Sequence, residues 1–179
     1  MKKQNMGIWG KIAKLFNLVM VFAFVILLAN PLTAEAKVKS KTLKSVKEFQ
    51  ASVSYAESVA TTIKKGNYKF KLKKVKNFGR AYVKFTAPKS KTYSFTVSNL
   101  HASNGKYANG YFHVYKQDPR YTDNFVDADK AKYFATRPQR EFKKKNTTKA
   151  YLNEGETAYI YISSDGIFAK YVTFNFTIK

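Results

Sequence analysis

Three features of the chain predict an all-β fold, an antiparallel β-sandwich of jelly-roll-like form behind an N-terminal signal-peptide helix. The first is the period of two in residues 91–98, where Lys91, Tyr93, Phe95 and Val97 alternate with Thr92, Ser94, Thr96 and Ser98. Such alternation gives a strand one mostly apolar face and one hydroxyl face. The second is its recurrence in residues 68–73, where Tyr68, Phe70 and Leu72 alternate with lysine, and in residues 171–178, where Val172, Phe174, Phe176 and Ile178 alternate with polar residues. The third is punctuation: short runs separated by Gly, Asn, Asp and Pro, with no long helical pattern after residue 36. Many short alternating runs of this kind favour two packed antiparallel sheets.

The elements follow in order. Residues 1–36 read as a signal peptide: Lys2, Lys3, Lys11 and Lys14 form a basic front, residues 15–29 an apolar run, and Ala34 and Ala36 a small-x-small cleavage site. The apolar run is shorter than the roughly 20 residues a membrane span needs, so no span is expected in the mature form. Residues 37–52 are rich in lysine and serine and read as a linker or arm ahead of a β-sandwich domain over 53–179. Residues 53–63 are compatible with a strand through their β-branched content, although 56–60 also suit a helix. Strands are expected at 68–73, 81–87, 91–100, 111–116, 132–136, 147–152, 157–163 and 171–178. Turns are expected at 64–67, 87–90, 153–155 (a hairpin) and 164–166, and loops at 102–110 and 117–129.

Composition narrows the function. The chain has no cysteine, which removes disulfides, thiol nucleophiles and thiolate metal sites. It carries 33 basic and 11 acidic residues; without the four lysines and one glutamate of residues 1–36 the remainder is about +19. A field of that sign attracts polyanions and weakens in salt. For a secreted protein those are wall phosphate polymers, acidic polysaccharide or anionic surfaces. A nucleic-acid partner is not expected, because no helical reader, zinc finger or basic zipper is visible.

The run AYVKFTAPKSKTYSFTVSNL, followed by AYLNEGETAYIYIS and a closing YVTFNFTIK, resembles the bacterial pre-peptidase C-terminal domain family. Phe85-Thr86-Ala87-Pro88, Thr92-Tyr93-Ser94-Phe95 and residues 152–162 carry the likeness, which spans about residues 68–179. The resemblance implies a non-catalytic β-sandwich, usually appended to secreted enzymes, with some members binding collagen or polysaccharide. Here it points to a stand-alone secreted member.

Catalytic chemistry has little to work with. His101 and His113 are the only histidines, and no G-x-S-x-G elbow accompanies them. Glu154 and Glu156 flank Gly155 and read as a solvated turn; Asp123, Asp127 and Asp129 lack the spacing of a calcium loop. No catalytic residue, cofactor or metal is expected. Two lysine clusters remain as candidate polyanion contacts: Lys69, Lys71, Lys73, Lys74 and Lys76, and Lys143, Lys144 and Lys145 with Lys149. On a strand, Lys69, Lys71 and Lys73 project from one face about 7 Å apart. Tyr111, Tyr115, Tyr159 and Tyr161 are candidate aromatic contacts, since tyrosines on an outer sheet face stack on sugars or pack on a partner. The expectation is a secreted, non-enzymatic module, adsorbed to the cell envelope or another anionic extracellular polymer or polysaccharide through its lysine faces. The alternative is a protein-interaction subunit or inhibitor that uses the tyrosine face.

Overall fold

The computed structural model describes residues 37–74, 77–166 and 168–179. The expected signal segment, with Ala34 and Ala36, lies outside the described residues, and so does Lys76. The elements are β1 (Lys39–Leu43), α1 (Val53–Val59), β2 (Thr61–Ile63), β3 (Gly66–Lys73), β4 (Phe78–Thr86), β5 (Lys91–Ala102), β6 (Ala108–Gln117), β7 (Phe125–Asp127), β8 (Lys132–Ala135), β9 (Lys145–Leu152), β10 (Thr157–Gly166) and β11 (Tyr171–Ile178).

They form an all-β sandwich. One sheet has the order β1-β3-β11-β5-β9; the other has the order β2-β4-β10-β6-β7, with β8 also paired to β6. From β3 to β6, and again from β8 to β11, every connection changes sheet. This is the jelly-roll arrangement, in which neighbours in sequence face each other across the core. The period of two is the reason it packs. Tyr68, Phe70, Leu72, Phe95, Val97, Phe174 and Phe176 of one sheet meet Val83, Phe85, Phe112, Val114, Ile160 and Ile162 of the other in one buried cluster. Sheets packed in this way lie about 10 Å apart, the depth of two interdigitated side-chain layers.

The structure departs from the sequence expectations in several places. The sheets are mixed: β1 runs parallel to β3, and β2 runs parallel to β4. Residues 37–52, expected as a linker or arm, are part of the sandwich. Lys39 to Leu43 pair with Tyr68 to Leu72, and Leu43 and Val46 are buried. Residues 53–63, compatible from sequence with a strand or, over 56–60, with a helix, are a helix followed by a three-residue strand. Ser52 caps α1 by accepting from the Tyr55 N–H at 3.1 Å, and the Asp123 carboxylate accepts from the Ser54 N–H at 2.6 Å. A capping side chain that satisfies free N–H groups outweighs the weak strand preference of valine and threonine.

The 153–155 turn does not close a hairpin, and neither does 87–90. Each is an arch that crosses between the sheets, and the two arches are latched together. Ala87 N–H donates to the Glu156 carbonyl and Gly155 N–H to the Ala87 carbonyl, both at 2.9 Å. Tyr93 closes the first arch by donating its hydroxyl to the Lys89 carbonyl at 2.8 Å. Ser164, Asp165 and Gly166, expected as a turn, continue β10 opposite Gly110, Asn109 and Ala108. The expected loops also shrink: β5 runs on to Ala102, and Phe125–Asp127 pairs with β6.

Candidate polyanion-binding face

Alternation also decides what each sheet shows to the outside. The outer face of the second sheet carries Arg80, Tyr82 and Lys84 from β4, Tyr159 and Tyr161 from β10, and Tyr111, His113 and Tyr115 from β6. It is covered. Val46, Val53 and Ala56 pack on Tyr82, Tyr159 and Tyr161 in a second buried cluster, with Tyr55, Val59, Tyr111, Tyr115 and Phe125 around it. Phe49 lies with its ring centroid 4.9 Å from that of Tyr161 and 5.6 Å from that of Tyr115. The Tyr82 hydroxyl donates to the Gln50 carbonyl at 2.8 Å and accepts from the Gln50 N–H at 3.0 Å. Burial, partly offset by the bond to Gln50, pushes its pKa up to about 12. Burial likewise raises Tyr159 and Tyr161.

The tyrosines proposed from sequence as aromatic contacts are thus packing residues. Tyr159 and Tyr161 are 4% and 2% exposed, and Tyr111 and Tyr115 are half-buried against the same cover. No local pattern marks this, because the segment that covers them, 44–59, precedes the nearest of them by about fifty residues.

Lys84, Lys116 and His113 of that sheet each stand against a carboxylate. Glu57 of α1 takes the Tyr159 hydroxyl at 2.6 Å and the Lys84 ammonium, and these contacts hold its carboxyl below the usual range. Glu156 pairs with Lys116 at 2.8 Å, and Asp127 lies 3.3 Å from His113 Nε2. Asp118 forms a two-point contact with Arg120, Asp123 holds the start of α1, and Asp129 binds Thr148 and Lys132. The three loop aspartates are therefore spread over three separate structural jobs. Neither histidine has a serine hydroxyl hydrogen-bonded to it among the described residues.

The first sheet's outer face is different. Read across the strands, Ser40, Lys69, Asn175, Ser98 and Lys145 lie in one row. Thr42, Lys71, Thr173 and His101 form the next. Asn67, Thr177, Thr96 and Thr147 form a third, in which the Thr96 and Thr147 hydroxyls bond at 2.8 Å. Lys73 stands beside Tyr171, and Lys149 beside Ser94. No residue in these rows is acidic, and no described segment packs over them as 44–59 packs over the other face. A lysine row on β3 and a lysine pair on β9 thus flank a floor of serine, threonine and asparagine. With strands about 4.8 Å apart, Lys69 and Lys145 are separated by roughly 14 Å.

This juxtaposition was not legible in the sequence, where the two clusters are about seventy residues apart. The candidate lysines do not all join it. Lys69 and Lys73 are exposed, and Lys71 is half-exposed with its ammonium 3.9 Å from the Tyr171 ring centroid. Lys74 is withdrawn: its side chain is 8% exposed, donates to the Gly166 carbonyl and lies 3.4 Å from Asp165. Its task is to hold the β10 end against the β3 end. Lys143 is exposed, and its backbone bridges to Phe134. Lys144 is exposed at a depression beside His101. Lys149, on the outer face of β9, joins the site instead.

A shallow depression of about 330 Å³ lies on the β1–β3 side of this face, lined by Ser40, Thr42, Lys69, Lys71 and Thr173 among others. No protein-family model matches the chain, and no curated protein does. Comparison with solved structures finds the pre-peptidase C-terminal domain of a collagenase from Bacillus anthracis, at 10% sequence identity and a TM-score of 0.35, covering 80% of this chain and 96% of that one. At that similarity no residue role is carried across.

Proposed function

We propose that the protein is a secreted, non-enzymatic module that adsorbs to an anionic extracellular polymer, such as an envelope phosphate polymer or acidic polysaccharide, through the outer face of its five-stranded sheet. One observation carries this reading: Lys69, Lys71, Lys73, Lys145 and Lys149 share one acid-free face, while Lys84 and Lys116 of the other sheet pair with Glu57 and Glu156. Lysine is a flexible point charge, and a row of them follows a mobile polyanion without demanding one shape. The hydroxyls and amides between the rows supply short-range hydrogen bonds once the polymer is drawn in. The resemblance of residues 68–179 to pre-peptidase C-terminal domains agrees with a non-catalytic role.

The test is co-sedimentation of the protein with isolated cell envelope across a salt series. Strong binding at low salt, lost as salt rises, is the expected outcome. Lysine contacts near an anionic surface contribute about 1 kcal/mol each, so the triple variant K69E/K71E/K73E loses affinity by on the order of a hundredfold. Binding that ignores both salt and the triple variant overturns the proposal.

A further inference from the structure

Four arginines lie in the described residues, and two of them are committed. Arg80 donates to the Lys47 carbonyl and stacks on Phe78, and Arg120 grips Asp118. Arg137 is exposed and has no carboxylate partner among the described residues. It lines a concave notch of about 450 Å³ with His101, Ala102, Gly105, Lys106, Tyr107 and Thr136. A smaller depression of about 170 Å³, lined in part by Asn99 and Lys144, shares His101 and Thr136 with it.

The notch has a structural origin. Asn99 adopts φ 53°, and the register between β5 and β11 slips there: Asn175 pairs with Ser98 but Thr173 pairs with His101. This bulge spends an extra residue, so Leu100 turns inward and His101 turns outward to the lysine-bearing face. Beyond it the 102–108 turn is fixed by Ser103, whose N–H reaches the Tyr171 carbonyl at 3.0 Å and whose hydroxyl accepts from the Lys170 N–H at 3.0 Å. The other wall is residues 135–137, held by the Thr136 N–H on the Ala108 carbonyl at 2.9 Å. Among the described residues no acid lines either depression; Glu141, in the same loop as Arg137, is exposed and lines neither.

We infer that this notch is a binding site for a single oxyanion group, a phosphate or a carboxylate, gripped by Arg137 with Lys106, His101 and the Thr136 hydroxyl as further donors, and with Lys144 at the adjoining depression. Guanidinium presents a planar fork that fits two oxygens at once, which distinguishes it from the lysine rows. The site is concave and walled by backbone-fixed turns, so it selects a group of given size where the open face selects only charge. His101 stands in the row of Lys71 and Thr173, so the notch opens from one end of the adsorbing face. The inference does not depend on polymer adsorption, because a small anion occupies the notch alone.

The experiment is an NMR titration of isotope-labelled protein with methyl phosphate, and separately with acetate, at constant ionic strength maintained with chloride. Saturable shifts confined to the amides of residues 101–107 and 136–137 are expected with at least one probe. The probe that produces them identifies phosphate or carboxylate as the group bound. Arg137→Gln weakens that binding roughly tenfold, the worth of one charge-assisted contact. K69E/K71E/K73E weakens it less than Arg137→Gln does and leaves the shifts on the same amides, which separates the notch from the open face. Shifts from neither probe, or shifts that persist undiminished in Arg137→Gln, overturn the inference.

Discussion

Single side chains in this protein carry more structural work than their exposure suggests, and Asp129 shows it most clearly. Burial raises its carboxyl, but the Thr148 hydroxyl, the Lys130 N–H and Lys132 outweigh that and bring it down to about 2. A carboxyl whose folded pKa lies below its unfolded value of about 3.9 stabilises the fold above that value, and the contribution is lost as pH falls towards 2. The wild-type urea midpoint should therefore drop more between pH 6 and pH 3 than that of Asp129→Asn. Equal drops in the two proteins would remove Asp129 from the acid limb. Gly110 is decisive for a different reason: a Cβ there would sit 2.4 Å from the Ser163 carbonyl oxygen of the paired strand. Only glycine allows β6 and β10 to approach at that point, where Gly110 pairs with Ser164.

Among the elements, α1 and the residues before it matter most, because they separate the two faces. Ala56 is fully buried on the tyrosine layer, where a larger or charged side chain has no room. An unpaired charge placed there costs several kcal/mol. Ala56→Asp should loosen residues 44–59 from the sheet while the two-sheet core holds. Hydrogen exchange checks this: amides of 53–60 should lose protection, and those of β5 and β11 should keep it. Undiminished protection over 53–60 would show that the helix does not depend on the tyrosine layer. Periodicity alone could not place this element, since Val53, Ala56 and Val59 also occur in a run of strand-favouring residues. The deciding signals were Ser52 as cap and the distant Asp123 as its support. The strands with strict alternation, β3, β5 and β11, were legible because a half-buried strand has one simple code.

Across the whole molecule the sandwich sorts charge. Its acids concentrate on the covered sheet and the loops, and among the described residues Lys69, Lys71, Lys73, Lys145 and Lys149 of the other outer face have no carboxylate partner. Two double variants with the same change in net charge should therefore behave differently. K145E/K149E should weaken envelope binding at low salt about as much per charge as reversals on β3. K84E/K116E puts glutamates beside Glu57 and Glu156, so it should lower the thermal midpoint and weaken binding less. Co-sedimentation and thermal melts of both variants decide it; equal losses of binding would mean that net charge alone, not its placement, governs adsorption.

The sequence by itself determined the sandwich, its jelly-roll character, most strand positions, the strong positive charge and the alternation that puts Lys69, Lys71 and Lys73 on one face of β3. These depend on local alternation, turn residues and composition, all of which are read without knowing which strands pair. Tertiary structure alone decided the rest. It buried Tyr159 and Tyr161 under residues 44–59, drew Lys74 into an internal contact, and set Lys145 and Lys149 across the same floor as Lys69 and Lys71. It also turned His101 towards Lys106 and Arg137 through a one-residue bulge. The physical reason is common to all of these: which face of a strand is free depends on what packs over it, and the covering or facing residues come from distant parts of the chain.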